Sequence, residues 1–141
     1  PPSKNINQAI KAKAKMFSSS KSQARSTMTS QFKEKHTFEE RVKQSSNILT
    51  KYKDSIPVFI DFTNISKPIE KSKYVIPNGF TVGQLLTAIR MKMSLSPACA
   101  LFVFIHNRLI PVTTVVSTIY ESNKDEDGFL YVCCSEENTF G

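Results

Sequence analysis

Two stretches of the chain alternate hydrophobic and polar residues with the period of an α-helix, and each begins at a capping box. Glu40 follows Thr37 by three residues, and Gln84 follows Thr81 at the same spacing. In such a box the two side chains satisfy backbone N–H groups at a helix start. Behind the first box the apolar face comprises Phe38, Val42, Ser45, Ile48 or Leu49, and Tyr52. Behind the second, in a helix that ends before Pro97, it comprises Val82, Leu85, Leu86, Ile89 and Met93.

Runs of β-branched and aromatic residues predict strands before and after the second helix. Residues 56–62 predict the first strand, with Pro57 at its start or on an edge, because proline has no N–H for a sheet ladder. Residues 73–77 predict a second strand, antiparallel to the first. The remaining elements are a buried strand at 101–105, a turn at 106–108, a short strand at 109–110, a short helix at 114–120, a solvated acidic turn at 125–128 and a last strand at 129–134.

The order of these elements specifies the fold class. Helix, strand, strand, helix, strand, strand, short helix and strand give a mixed sheet with one helix packed across it. We therefore predict an α+β protein, a ubiquitin-like β-grasp with an additional N-terminal helical region.

The first part of the chain differs in composition from the rest. The 141 residues carry a net charge of +7, and residues 1–36 account for all of it, so the remainder is neutral overall. Residues 1–31 are rich in Pro, Ser, Lys, Asn and Gln and contain no acid, which predicts disorder. We divide the chain into a basic, disordered extension or added segment at 1–27 and a folded domain with a C-terminal tail at 28–141.

Apolar residues recur at helical spacing among the lysines of this extension: Ile6, Ile10, Ala14 and Phe17. Such a stripe could form a basic amphipathic helix on an anionic membrane. A transit-type presequence has a similar composition. We favour a solvated tail over both.

Catalysis and metal binding have little support in the sequence. Cys99, Cys133 and Cys134 show neither metal-ligand spacing nor a disulfide pattern, and no nucleophile motif pairs them with His36 or His106. The longest apolar run, residues 98–105, is far shorter than the ~20 residues of a membrane-spanning helix. We expect a cytoplasmic protein with free thiols, no enzyme activity, no cofactor and no metal.

Two features suit a protein that is attached to other molecules and binds them. Gly141 closes a short tail, and a residue without Cβ lets its carboxylate enter a narrow enzyme channel and be adenylated and transferred. The predicted strand at 73–77, with its lysine and apolar neighbours, suits the addition of a peptide strand at an exposed edge. An ordinary blunted edge is the alternative for that strand.

Five segments are similar to segments of a known protein family and occur in the same order along the chain. They are Thr37-Phe38-Glu39-Glu40-Arg41, Ile56-Pro57-Val58, Lys73-Tyr74-Val75-Ile76-Pro77, Thr81-Val82-Gly83-Gln84 and Lys124-Asp125-Glu126-Asp127-Gly128-Phe129-Leu130-Tyr131. The sequence closes with Asn138-Thr139-Phe140-Gly141, and Met28-Thr29-Ser30-Gln31-Phe32-Lys33 is similar to the family's usual beginning. Residues 28–141 resemble the lipid-conjugated ubiquitin-like modifiers of autophagy, the family of microtubule-associated protein light chain 3 and GABA-receptor-associated protein.

The resemblance implies a modification and a set of partners. Activating and conjugating enzymes would link Gly141 to phosphatidylethanolamine on the autophagosome membrane, and a cysteine protease would process and release it. Cargo receptors would bind through short acidic-aromatic motifs. The implied aromatic pocket comprises Ile48, Pro57, Phe59, Lys73, Val75 and Phe129. The implied aliphatic pocket comprises Tyr74, Ile76, Pro77, Phe80, Leu85, Ile89 and Lys92, and Phe102 and Phe104 match positions used for processing and conjugation.

Some positions depart from the family pattern. Gln44 stands where many members have Glu, and Ser55 stands where many have a motif-contacting Arg, which leaves the motif preference open. One alternative is the autophagy modifier that is conjugated to a protein lysine, although it usually lacks the Phe-Glu-Glu-Arg helix and the Asn-Thr-Phe-Gly ending. Another is a nucleic-acid-binding adaptor that uses the basic extension. The neutral remainder of the chain argues against that reading, so we expect no nucleic-acid partner.

Overall fold

A computed structural model describes residues 28–65 and 72–136, and that part of the chain contains four helices and five strands. The helices are α1 (Met28–Lys35), α2 (Phe38–Lys51), α3 (Val82–Lys92) and α4 (Val116–Asn123). The strands are β1 (Ser55–Thr63), β2 (Lys73–Pro77), β3 (Phe102–Ile105), β4 (Arg108–Leu109) and β5 (Leu130–Ser135). The predicted α+β class with additional N-terminal helices is confirmed.

The five strands form one mixed sheet in the order β2-β1-β5-β3-β4. β1 and β5 lie parallel at its centre, with Val58 opposite Leu130. β2 is antiparallel to β1, as predicted, with Ser55 opposite Pro77, and β3 is antiparallel to β5. Parallel central strands from the two ends of the domain, with a helix across one face, make a β-grasp. β2 therefore lies at one edge of the sheet and β4 at the other.

Both predicted capping boxes are present. The Thr37 hydroxyl accepts from the Glu40 N–H at 3.1 Å, and Glu40 Oε1 accepts from the Thr37 N–H at 3.3 Å. Thr81 and Gln84 exchange the same two bonds at 3.2 and 2.8 Å. Each box satisfies amides that the first turn of a helix leaves free, so α2 and α3 begin where the sequence predicts.

Alternate residues of the sheet face two separate apolar clusters. On one face, Val58 and Ile60 are fully buried and pack with α3 and α4 in the main core. On the other face, Phe59 and Phe129 pack with Phe32 of α1. The sheet is thus covered by α3 and α4 on one side and by α1 and α2 on the other.

Three local predictions are wrong. The composition predicts disorder for residues 28–31, but they form the first half of α1, which docks on the sheet through Phe32. The short helix runs over Val116–Asn123 rather than 114–120. Tyr52, assigned to the inward face of α2, is 43% exposed. The extension at 1–27 lies outside the described residues. Among the described residues, no helix is long and apolar enough to cross a membrane.

The acidic turn before β5 is also wrongly predicted to be solvated. Asp127 is 1% exposed, and its carbonyl oxygen accepts a hydrogen bond from the Ser45 hydroxyl of α2. Gly128 follows with φ of 92°, a left-handed conformation that favours glycine. The turn is therefore part of the contact between α2 and the sheet.

Candidate functional site: a groove beside the edge strand

A groove of about 630 Å³ opens between the N-terminal helices and the edge strand β2. Its lining residues are Met28, Gln31, Phe32, Lys35, His36, Ile48, Tyr52, Phe59, Ser72, Lys73 and Val75. We call it the aromatic groove. α1 and α2 supply one wall, β2 supplies the other, and β1 contributes to the floor.

The rings of Phe32 and Phe59 line the aromatic groove, and the buried ring of Phe129 packs behind them. Phe32 stacks on Phe59 with ring centroids 4.8 Å apart and ring planes at 21°. Phe129, which is 0% exposed, meets Phe32 edge-on at 5.5 Å. Both arrangements are favoured for aromatic pairs. A large apolar side chain that entered the groove would therefore meet an ordered apolar surface.

Basic side chains surround the aromatic groove. Lys73 Nζ lies 5.4 Å from the centroid of the Phe32 ring and donates to Oε1 of Gln44 at 2.7 Å. Lys35 and His36 line the opposite wall. A positive rim around an apolar floor favours ligands in which acidic groups flank an apolar side chain.

Four of the six residues predicted for the aromatic pocket line this groove: Ile48, Phe59, Lys73 and Val75. Pro57 and Phe129 do not line it, because both are fully buried, and Pro57 lies on the same face of β1 as Phe59. The prediction missed Phe32, which lies in a segment whose composition indicates disorder. The similarity of residues 28–33 to the family's usual beginning was the signal that a structured segment starts there.

Of the residues predicted for the aliphatic pocket, Tyr74 and Ile76 lie on the other face of β2, next to α3, whereas Pro77 lies on the Lys73 face. Ile76, Leu85 and Ile89 are buried in the main core, and Tyr74 and Phe80 pack against it. Lys92 Nζ lies 5.4 Å from the centroid of the Tyr74 ring, and Pro77 is exposed. Burial raises the pKa of the Tyr74 hydroxyl above its ordinary value.

The two phenylalanines predicted to serve processing and conjugation differ in exposure. Phe104 on β3 is 4% exposed and lines a smaller cavity of about 240 Å³ together with Asp61 and Cys133. Phe102 is only partly buried. Gly141 lies outside the described residues.

Polar contacts, buried at Asp127 and partly exposed at Asp125, hold the N-terminal helices against the sheet beside the aromatic groove. Arg41 Nη1 of α2 lies 3.2 Å from Oδ2 of Asp127, and the Tyr131 hydroxyl donates to the same oxygen. Lys33 of α1 pairs with Asp125 at 3.1 Å. Each helix that forms the groove is therefore tied by one ion pair to the turn before β5.

The two aspartates of this turn have pKa values shifted in opposite directions. Burial raises the pKa of Asp127, although hydrogen bonds from Tyr131 and from the Phe129 N–H favour its charged form. Burial also acts on Asp125, but the Asp127 N–H and the Lys33 ammonium outweigh it and lower the pKa of Asp125. Burial and the hydrogen bond to Asp127 raise the pKa of Tyr131 and keep its hydroxyl a donor.

The three cysteines are free thiols with raised pKa values. Burial raises the pKa of Cys134 to about 12 and also raises the pKa of Cys133 and of Cys99. The thiolate is the nucleophilic form of cysteine, so these thiols are poorly suited to covalent catalysis. Among the described residues no three His, Cys, Asp or Glu side chains are grouped so that they could hold a metal ion.

The described residues form the β-grasp of a ubiquitin-like protein, with α1 and α2 added ahead of it. The crystal structure of Trypanosoma brucei ATG8 aligns with a TM-score of 0.68 at 32% identity, covering 78% of this chain and 97% of that chain. The sequence model described as "Autophagy protein Atg8 ubiquitin like" matches residues 40–141. The chain belongs to the Atg8 family, whose members are ubiquitin-like modifiers rather than enzymes.

Relatives in fungi and plants agree with this assignment. Autophagy-related protein 8 of Schizosaccharomyces pombe is 48% identical over 117 residues, which cover 81% of this chain and 96% of the relative. Autophagy-related protein 8A of Oryza sativa subsp. japonica is 48% identical over 113 residues, which cover 78% and 94%. The family resemblance predicted from the motifs is confirmed.

Proposed function

We propose that this chain is a modifier that is joined through Gly141 to phosphatidylethanolamine on autophagic membranes and recruits cargo receptors and adaptors through its aromatic groove. Activating and conjugating enzymes form the bond, and a cysteine protease processes the chain and releases it. The protein acts by attachment and binding, not by catalysis. It is cytoplasmic before conjugation and lies on the autophagosome membrane afterwards.

The position of the aromatic groove beside an edge strand carries this proposal. One side of β2 pairs with β1, and its other side is the edge of the sheet. An extended peptide can add to such an edge, where backbone hydrogen bonds supply affinity and alternate side chains enter pockets on the two faces. The aromatic groove lies at Lys73 and Val75, and the aliphatic pocket that we propose would form at Tyr74 and Ile76, on the other face of β2.

The distribution of charge supports an acidic motif as the ligand. Lys35, His36 and Lys73 line the aromatic groove, and Lys92 lies over the Tyr74 ring, next to the proposed aliphatic pocket. Complementary charge at an interface increases the association rate and selects against wrong partners. Carboxylates beside an aromatic residue would meet this basic rim while the ring enters the groove.

The conjugation step rests on the chemistry of a glycine carboxylate and on a family match that extends to residue 141. The carboxylate first reacts with ATP to form an acyl adenylate and pyrophosphate, and an enzyme thiol then attacks the acyl carbonyl, forms a thioester and releases AMP. The amine of phosphatidylethanolamine attacks the thioester carbonyl, forms an amide and releases the thiol. Because Gly141 has no Cβ, the tail can enter a narrow enzyme channel at little steric cost.

Reconstitution with the activating and conjugating enzymes, ATP and liposomes tests this proposal. The wild-type chain should gain the mass of one lipid when the liposomes contain phosphatidylethanolamine and should stay unmodified on phosphatidylcholine alone. Gly141→Ala should form no adduct and should keep the wild-type unfolding temperature. Adduct formation by the alanine variant, or an isopeptide bond to a protein lysine in place of the lipid, would overturn the proposal.

A further inference from the structure

Three side chains from three parts of the fold form a hydrogen-bonded chain beside the aromatic groove. Lys73 on β2 donates from Nζ to Oε1 of Gln44 on α2 at 2.7 Å. Nε2 of Gln44 lies 3.5 Å from Nδ1 of His36, which connects α1 to α2. His36 and Lys73 both line the groove, so Gln44 links its two walls.

The chemistry of the lysine fixes the orientation of Gln44. An ammonium group only donates hydrogen bonds, so it requires the amide oxygen, and the NH₂ group of Gln44 then faces His36. That NH₂ group can donate to Nδ1 only while Nδ1 carries a lone pair. In the doubly protonated imidazole both ring nitrogens are donors, so the Gln44–His36 bond cannot form.

A second acceptor is in place for the protonated ring. Nδ1 of His36 lies 3.4 Å from Oε2 of Glu40 on α2. The backbone hydrogen bond from Thr37 and the side chain of His36 lower the pKa of Glu40, which keeps this carboxylate charged. The imidazole can therefore accept from Gln44 when it is neutral and donate to Glu40 when it is protonated.

We propose that Gln44 is a positioning residue that holds Lys73 for an acidic ligand, and that protonation of His36 makes the aromatic groove bind acidic peptides more tightly. This inference rests on the proposed function, because it concerns the ligand of the same groove. Histidine is the side chain whose charge ordinarily changes between pH 5 and 8.

The charged groups around His36 set the sign of the effect. Glu40 faces the ring and favours the imidazolium, whereas the neighbouring Lys35 opposes it. Lys73 also opposes it from across the groove, since its ammonium lies 5.4 Å from the Phe32 ring, which packs 5.0 Å from the His36 ring. A bound acidic ligand adds a second favourable charge. Because linkage is reciprocal, a ligand that favours the protonated ring must bind more tightly as the pH falls.

The amide at position 44 is what makes the link depend on pH in this way. A carboxylate there would pair with Lys73 and would also accept from a protonated His36. Gln44→Glu should therefore weaken binding of an acidic peptide by about three- to ten-fold and reduce its dependence on pH. Unchanged affinity and an unchanged pH profile in Gln44→Glu would contradict the positioning role.

NMR of the free, full-length protein tests the hydrogen-bonded chain without any ligand. Between pH 8 and pH 5.5, the side-chain NH₂ resonances of Gln44 should shift with the same midpoint as the His36 ring. His36→Gln should remove this shift. His106→Gln changes the chain's other histidine, at the β3–β4 turn, and should leave the shift intact. A Gln44 resonance that ignores pH, or still titrates in His36→Gln, would overturn the inference.

Calorimetry then tests the consequence for binding. The probes are an extended peptide with one aromatic residue flanked by Asp and Glu, and a matched peptide with Asn and Gln at those flanks. The acidic peptide should bind about two- to five-fold more tightly at pH 5.5 than at pH 8, the effect of one added surface charge. The amide peptide should show no such change, and His36→Gln should abolish the difference.

The outcomes separate this inference from the proposed function. Equal pH dependence for both peptides, or a full pH effect in His36→Gln, would overturn the inference while peptide binding itself still supported the proposed function. Failure of both peptides to bind at any pH would overturn peptide recruitment, and the NMR titration of Gln44 would still decide whether the hydrogen-bonded chain exists.

Discussion

The carboxylate of Asp127, in the turn before β5, lies 3.2 Å from the guanidinium of Arg41 on α2, although 86 residues separate the two in the chain. The Asp127 side chain is 0% exposed and that of Arg41 is 11% exposed. Buried charges are costly unless they are paired, and removing one partner leaves the other charge buried and unpaired. This pair therefore ties one wall of the aromatic groove to the sheet.

Replacing Asp127 by Asn should lower the free energy of unfolding by about 1–3 kcal/mol. Asn keeps the shape of the side chain and an oxygen for the Phe129 N–H, but it leaves the Arg41 charge unpaired. The expected loss lies at the low end for buried pairs, because burial raises the pKa of Asp127 and so already offsets part of the attraction. Urea denaturation at pH 7 measures the loss in free energy of unfolding, and Glu126→Gln, a change at the exposed neighbouring residue, is the control. Equal stability of the two variants would show that the pair is dispensable.

Gly128→Ala should destabilise the fold by about 2–4 kcal/mol. Its φ of 92° is strained for alanine, and an added Cβ would overlap the Ser45 hydroxyl of α2. Gly79→Ala is the matched control, because nothing lies within 4 Å of a Cβ built there, and it should stay within about 0.5 kcal/mol of wild type. Thermal denaturation of both variants measures the difference in stability between them. Equal stability would show that the turn can shift away from α2 to make room for the added Cβ.

The features of the fold that depend on neighbours in sequence could be predicted. Thr37 with Glu40, and Thr81 with Gln84, satisfy helix-start amides within four residues, so the starts of α2 and α3 follow from the sequence alone. The antiparallel pairing of β1 and β2 could be predicted for a related reason, since both are dense runs of strand-forming residues that follow one another in the chain.

The features that depend on distant contacts could not be predicted. Asp127 looks solvated in its acidic segment, but in the fold it is buried among contacts with Arg41 and Ser45 of α2 and Tyr131 of β5. Phe32 belongs to a helix with one buried residue, whose stability comes from packing on Phe59 and Phe129 rather than from its own pattern. For the same reason the residues predicted for the aromatic pocket include none from α1, although Ile48 and Val75 do line the groove.

Lys73→Glu should weaken binding of an acidic-aromatic peptide by roughly 1–3 kcal/mol, because it reverses a charge at the rim of the groove. Calorimetry measures the affinity. Arg108→Glu reverses an exposed charge on β4, at the opposite edge of the sheet, and should leave the affinity near that of wild type. Unchanged affinity in Lys73→Glu would mean that β2 is an ordinary blunted edge.

Deleting residues 1–27 should leave the unfolding temperature nearly unchanged. The segment has too few large apolar residues, chiefly Ile6, Ile10 and Phe17, to offset the entropy of ordering it on the domain. The family match, at residues 40–141, also lies wholly beyond it. A large fall in unfolding temperature on deletion would show that the segment packs on the domain.

The same deletion should reduce binding to anionic vesicles at low salt. Residues 1–27 carry six bases and no acid, and near an anionic surface each base contributes about 1 kcal/mol at most. The attraction fades within a Debye length of ~8–10 Å, so high salt should remove the difference between the two chains. Co-sedimentation with phosphatidylserine vesicles measures it, and phosphatidylcholine vesicles are the control. A full-length variant with all six bases changed to Gln separates charge from the apolar stripe. If that variant binds as well as wild type, the Ile6–Phe17 stripe rather than the charge holds the segment on the membrane.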